Sequence, residues 1–135
     1  MATATVSLAA AARTNPHRSL QLALAAAKTA EETRGQNVVV LDMREQTPIF
    51  DYFVIVTGTS RRQLRAISSE IDNVLEKELG DRRLSVAGYE ESRWIVLDYG
   101  TVVIHIFDDE ARAYYDLEGL WAGAKSVEWN EAATA

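Results

Sequence analysis

The sequence of 135 residues contains no cysteine. A disulfide framework, a thiol nucleophile and a cysteine metal site are therefore excluded. Histidine is also scarce, with only His17 and His105 present. These two residues are far apart in the sequence and share no local metal-ligand motif. No run approaches the roughly 18 apolar residues that a membrane span requires, so we expect no membrane partner.

Basic residues are outnumbered, with 14 Lys and Arg against 20 Asp and Glu and a formal net charge of -6. Such a chain is repelled by a polyanion, so we expect no direct sequence-specific binding of nucleic acid. An acidic protein does suit a basic protein partner, and proteins that coat RNA are typically basic.

The length and the composition, 47% hydrophobic and 25% charged, suit a single domain with its own core. We expect that domain over residues 19–128, between flexible tails at 1–18 and 129–135. The first basic residue is Arg13, too late for a secretory signal. The start, rich in Ala, Ser and Thr, leaves an organellar transit peptide as the alternative to a cytoplasmic protein.

Two apolar runs flank Tyr99 and Gly100 and predict a β-hairpin with a two-residue turn. The resulting register pairs Asp98 with Thr101, Val96 with Val103 and Trp94 with His105. One side of the hairpin is then entirely aliphatic and suits a surface beneath helices, with Ile95, Leu97, Val102, Ile104 and Ile106. The other side carries Trp94, Val96, Asp98, Thr101, Val103, His105 and Phe107. It is either a second packed layer or a partner-binding face.

Hydrophobic periodicity elsewhere predicts a helix over residues 20–34, capped by Ser19, and one over 61–79, capped by Ser60. Strands are predicted over residues 37–43 and 51–57, with an edge strand over 84–87. The fold class that follows is α/β, with a single mixed β-sheet of about five strands and helices packed on it.

Residues 58–60, Gly-Thr-Ser, lie between a strand and a helix and have two interpretations. They form either an anion site built from backbone amides or a helix cap. The pattern is not that of a phosphate-binding loop, because the second glycine and the lysine are missing. A nucleotidyltransferase would also need paired carboxylates on the next strand, and residues 82–86 contain none.

A final helix is predicted from Asp108 to Trp121. Tyr114, Leu117 and Trp121 recur at the spacing of a core stripe. Tyr115 is about 100 degrees round the helix from Tyr114, so both rings cannot enter the same core. At least one tyrosine should lie near the surface, either as part of a binding site or as an ordinary half-exposed residue.

Three ordered motifs resemble the ribosomal silencing factor (Iojap) family: D-Y-F-V-I-V-T-G-T-S-R-R-Q from Asp51, W-I-V-L-D-Y-G-T-V-V-I-H-I-F from Trp94 and R-A-Y-Y-D-L-E-G-L-W from Arg112. The resemblance implies a nucleotidyltransferase-like topology without catalytic carboxylates, no enzymatic activity, no cofactor and no metal. It further implies binding to the large ribosomal subunit through ribosomal protein L14. There the factor would block joining of the small subunit and repress translation under nutrient limitation, and we expect a homodimer when it is free.

The resemblance implies partner-binding roles for Trp94, Ile95, Asp98, His105, Arg112, Tyr114 and Tyr115. Asp51 and Gly58 also match the family's motifs. One departure is Thr101, where the family usually has an acidic residue, which removes a possible salt bridge to a basic partner. Two alternatives stay open: a nucleotide-binding enzyme that uses residues 58–60 for phosphate and Asp42 or Asp51 for metal, and a homodimer formed by the hairpin face.

Overall fold

The computed structural model describes residues 16–130 and shows one mixed sheet of six strands in the order β3-β4-β5-β2-β1-β6. The strands are β1 (Gln36–Asp42), β2 (Tyr52–Thr57), β3 (Ser85–Ala87), β4 (Trp94–Asp98), β5 (Val102–Phe107) and β6 (Lys125–Ser126). Strands β2 and β5 are parallel, and the other neighbours are antiparallel. The predicted single mixed sheet is confirmed, with six strands instead of about five. The two-residue β6 has no apolar run that would reveal it.

The helices are α1 (Pro16–Glu32), α2 (Arg61–Asn73), α3 (Asp109–Tyr115) and α4 (Leu117–Leu120). A π-helical turn, Val74–Glu78, extends α2, and Gly80, at φ +67°, follows its end. Among residues 16–130, none of the helices combines the length and apolar character needed to cross a membrane.

Helices α1 and α2 cover one face of the sheet. Apolar residues at helical spacing in α2 and its π-helical extension are fully buried there, at Leu64, Ile67, Ile71 and Leu75. The face of α1 that packs on the sheet carries alanines, whose small side chains let the helix backbone approach the sheet closely. They are Ala23, Ala26, Ala27 and Ala30. The aliphatic side of the hairpin packs into the same cluster, as predicted. Ile95 belongs to it and has no exposed surface, so its side chain packs in the core and does not face a partner as the resemblance implied.

Helix α1 begins three residues before the predicted cap. Pro16 is its first residue, a position where the missing proline N–H costs no hydrogen bond. Ser19 is therefore inside the helix, where its Oγ is 2.8 Å from the Oγ1 of Thr101.

Trp129 also packs on the core and donates from Nε1 to the Val38 carbonyl at 3.1 Å. The rest of both predicted tails, residues 1–15 and 131–135, lies outside the described residues.

The hairpin has a register different from the predicted one. Asp98 pairs with Val103, Val96 with His105 and Trp94 with Phe107, and the Tyr99 N–H continues the ladder by donating to the Val102 carbonyl at 2.9 Å. The turn is therefore Gly100-Thr101, one residue further along the chain than predicted, and Gly100 has φ +94°, which suits a glycine at the first central position of a two-residue turn. Tyr99 is only 7% exposed and donates its phenol O–H to Asp72 of α2, which draws the turn toward the helices. The shift is two residues, so every side chain keeps its predicted side.

Candidate functional site

The second face of the sheet carries an aromatic cluster. The rings of Trp94 and Phe107 stack with their centroids 4.9 Å apart, and the rings of Phe53 and His105 meet edge-on with their centroids 4.7 Å apart. Trp121 closes over Phe53 at 6.3 Å and 87°. We call these five residues the aromatic face. It is a second packed layer at its centre, because Phe53, His105 and Phe107 are buried, and it is open at the partly exposed Trp94.

Two tyrosines extend this face into solvent. Tyr115 packs on Trp94 at 4.6 Å, and Tyr114 meets Tyr115 edge-on at 5.0 Å. Tyr114 is 81% exposed and Tyr115 is 50% exposed. The expectation that at least one tyrosine lies near the surface is therefore confirmed, and both do.

The predicted single helix to Trp121 is wrong, because the chain breaks at Asp116. This residue adopts φ 45° and ψ 58°, ends α3, and accepts from the Gly119 N–H at 3.1 Å to cap α4. The expected core stripe through Tyr114 is lost with the break. Aspartate is one of the few residues that tolerate the left-handed region, and a glycine three positions later suits a capping turn. That pattern was the signal available in the sequence.

An open groove of about 820 Å³ lies between α3 and the loop of residues 88–93. Its apolar walls come from Trp94, Tyr114, Tyr115 and two alanines of α3. Its rim is charged, with Glu91 and Glu110 on it. Arg93 completes the rim and lies 3.3 Å from both Asp108 and Glu110. Aromatic anchors inside a charged rim are typical of a protein-binding surface.

The loop that forms one wall of the groove is fixed by residues that the sequence reasoning missed. Gly88 has φ +78°, and a Cβ there would collide with the Trp94 carbonyl oxygen. Arg65 of α2 donates to the Ser92 Oγ at 2.7 Å and to the Glu90 carbonyl at 2.8 Å. The two contacts of Arg65 join residues more than twenty positions apart in the sequence, so no local pattern indicates them. Only Gly88 gave a local signal for this loop.

His105 and Trp94 interact although they are not directly opposite each other. The indole Nε1 donates to the imidazole Nδ1 at 3.1 Å. His105 is 6% exposed, and burial lowers its pKa from 6.5 to about 4. The imidazole is therefore neutral at physiological pH, and its proton is on Nε2 because Nδ1 accepts.

Arg112, expected to contact a partner, is instead bonded within the fold. Its Nη1 donates to the Asn37 carbonyl at 2.7 Å and to the Thr57 Oγ1 at 2.9 Å. Its Nε and Nη2 donate to the two carboxylate oxygens of Glu118 at 3.0 and 3.1 Å. Only 12% of its side chain is exposed. Arg112 therefore clamps α3 and α4 against β1 and β2.

The hairpin turn places two further residues away from the groove. Asp98 accepts from the Gly100 N–H at 2.8 Å and lies four residues along β4 from Trp94, about 13 Å away. Thr101 is 3% exposed and faces Ser19 of α1. A change of residue at 101 therefore alters packing against α1 more than the charge of the groove rim.

The polar groups proposed for a nucleotide site are engaged in local contacts. The Gly58 N–H donates to the Phe107 carbonyl at 2.8 Å, and the Thr59 N–H donates to the Gln63 Oε1 at 2.6 Å. The Ser60 Oγ caps α2 by accepting from the Gln63 N–H at 3.1 Å. These contacts favour the helix-cap interpretation of residues 58–60.

The two carboxylates considered as metal ligands, those of Asp42 and Asp51, lie in different surroundings. Arg44 donates to both oxygens of Asp42, at 2.9 and 2.7 Å, and this hydrogen bonding lowers the pKa of Asp42. Asp51 is only 1% exposed. Within residues 16–130, no group of three or more His, Asp and Glu side chains is arranged to hold a metal ion.

Comparison with known proteins gives one family. The model of the family described as "Ribosomal silencing factor during starvation" matches residues 16–135. The ribosomal silencing factor RsfS of Halalkalibacterium halodurans is 39% identical over 109 residues, which cover 81% of this chain and 90% of that protein. RsfS of Bacillus subtilis is 37% identical, covering 73% and 83%. A crystal structure of a Chromobacterium violaceum protein superposes with a TM-score of 0.73 at 32% identity, covering 78% and 88%.

Proposed function

The chain belongs to the ribosomal silencing factor family, and from this premise we propose that it binds the large ribosomal subunit through ribosomal protein L14. Bound there, it sterically blocks joining of the small subunit and represses translation when nutrients are short. A domain of this size has a diameter on the order of 30 Å, sufficient to obstruct an intersubunit contact. The proposed role is that of a non-enzymatic assembly blocker.

The observation that carries the proposal is the exposed row of Trp94, Tyr115 and Tyr114 along the groove. The two tyrosine rings are too exposed to contribute much to the fold, yet Tyr114 packs on Tyr115, and Tyr115 on Trp94, with ring centroids 5.0 Å apart or less. They are therefore oriented before a partner arrives, which lowers the entropy cost of binding. Tyrosine and tryptophan are also the side chains most enriched among residues that dominate binding energy.

Charge supports a ribosomal protein as the partner. Acidic Glu91 and Glu110 lie on the groove rim, and the whole chain has a net charge of -6. Complementary charge accelerates association with a basic protein surface and disfavours direct contact with the RNA backbone. We therefore expect binding to weaken as salt increases, with the aromatic row supplying the part that persists.

In the absence of ribosomes we propose that the chain forms a homodimer that covers the same apolar groove. The exposed tyrosines give a second copy a surface to bury, and the shared groove would make dimer and ribosome complexes mutually exclusive. The proposed place of action is the cytoplasm, because the relatives named above are bacterial ribosomal silencing factors. Light scattering with and without L14 tests the dimer. Alone, the chain should have the mass of two copies, and with L14 present the particle should have the mass of one copy of the chain plus one of L14.

Co-sedimentation with isolated large subunits at low salt tests the binding proposal. Tyr114→Ala should weaken binding at least about tenfold, the loss expected of a residue that dominates an interface. Leu120→Ala is the matched control, because Leu120 is 71% exposed but does not line the groove. Both variants should melt like the wild type, since neither side chain is in the core. Equal binding by the two variants would show that the groove is not the contact surface.

A further inference from the structure

We infer that His105 is a positioning residue for the partner-binding groove: its Nδ1 holds the indole of Trp94 in the orientation that forms the groove wall. The inference deepens the proposed function and rests on it for the partner. Its structural half concerns the free protein and can be tested without ribosomes. It assigns His105 a role different from the direct partner contact that the family resemblance implies.

The hydrogen bond selects one orientation of the indole. Trp94 packs on Phe107 at 24° and on Tyr115 at 42° between ring planes. Stacking of this kind depends little on which edge of the indole points where, whereas the 3.1 Å bond from Nε1 to the His105 Nδ1 depends on it strongly. Without an acceptor at residue 105, the indole N–H would lose this partner within the aromatic face, an unfavourable state for a partly buried donor.

The imidazole is suited to act as a fixed acceptor. It is 6% exposed and packs against the Phe53 ring, with the two ring centroids 4.7 Å apart, so it has little room to rotate. Burial keeps it neutral, and a neutral imidazole has an acceptor nitrogen whereas the cation has none. Burial lowers the pKa of this imidazole and so maintains the neutral form.

A further observation indicates that the imidazole is not present merely to fill space. Its Nε2 is buried and, among residues 16–130, has no hydrogen-bond partner. Burying an unsatisfied donor is unfavourable, so an aliphatic side chain would pack here at lower cost. What the imidazole adds over an aliphatic side chain at this position is the Nδ1 acceptor, and its observed partner is Trp94.

The structural half is tested by the indole N–H resonances of the ¹⁵N-labelled protein, which has three tryptophans. Trp94→Phe assigns the Trp94 resonance. His105→Leu, which has no acceptor, should shift that resonance and accelerate its exchange with solvent. His105→Asn places an amide oxygen close to the position of Nδ1 and should restore much of the wild-type behaviour. A Trp94 resonance that is unchanged in His105→Leu would overturn the inference.

Large-subunit binding tests the functional half. His105→Leu should weaken binding by about tenfold, and His105→Asn should recover most of that loss. In a Trp94→Phe background, where no indole N–H exists, His105→Leu should cause no additional loss. An equal loss in both backgrounds would show that His105 acts only through general packing and would overturn the inference.

The two halves also separate failure of the inference from failure of the proposed function. Wild-type protein that does not sediment with large subunits contradicts the proposed function, and the resonance comparison then decides whether His105 positions the indole. If His105→Leu does not fold, Trp94→Phe removes the same hydrogen bond from the donor side. Full-strength binding by a folded Trp94→Phe variant would then overturn the inference.

Discussion

Acid should destabilise this fold through His105. The pKa of the folded-state imidazole is about 4, against 6.5 for an unperturbed histidine. Between those values the unfolded chain binds a proton that the folded chain does not, so lowering the pH favours unfolding. The stability that His105 confers is fully present above pH 6.5, falls as the pH drops below it, and reaches its minimum below the folded pKa.

The magnitude follows from the difference in pKa. One pKa unit corresponds to about 1.4 kcal/mol, so the free energy of unfolding should fall by at most about 3 kcal/mol across the whole window. At about pH 5 the expected loss is about 2 kcal/mol. Asp42 acts in a different window, because Arg44 lowers its pKa below 3.8 and its contribution is lost only in stronger acid.

Urea unfolding of the wild type and His105→Asn, each at about pH 7.5 and about pH 5, measures this contribution. The wild type should lose about 2 kcal/mol more than the variant between the two conditions, because the variant has no imidazole to titrate. Taking the difference cancels every other titrating group. Equal losses in the two proteins would refute the reasoning and would indicate that the folded imidazole is protonated as easily as a solvated one.

Two further predictions concern residues that the family resemblance assigned to a partner and the structure places within the fold. Arg112→Lys should lower the free energy of unfolding by about 2 kcal/mol, because an ammonium group cannot replace the paired bonds to Glu118. Urea unfolding should show a smaller effect for Arg93→Lys, whose ion pairs are exposed, and equal effects would contradict the clamp. Ile95→Ala should cost about 2–5 kcal/mol while folded molecules still bind large subunits. Lost binding at unchanged stability would restore Ile95 as a contact residue.

The hairpin shows why the faces of the sheet were predictable and its register was not. Alternation along a strand assigns each side chain to a face, and a shift of two residues preserves that assignment. The register itself depends on the turn, and Tyr99 leaves the turn to bond Asp72 of α2. That contact joins residues far apart in the sequence, so no local pattern at the turn indicates it.

The candidate site divides in the same way. That at least one of the two tyrosines lies near the surface was predictable, because helical spacing is a local property. The role of Arg112 was not, since its bond to the Asn37 carbonyl joins residues 75 positions apart. The groove itself depends on the break at Asp116 and on the anchoring of residues 88–93 by Arg65. Sequence spacing therefore identified the side chains that line the surface but not the contacts that shape it.

The central claim is tested most directly by subunit association followed by light scattering. Large subunits preincubated with the wild-type protein should fail to join added small subunits, whereas preincubation with Tyr114→Ala should leave joining close to its normal extent. Leu120→Ala should block joining as the wild type does. Full association of subunits while the wild-type protein remains bound to the large subunit would contradict the steric account.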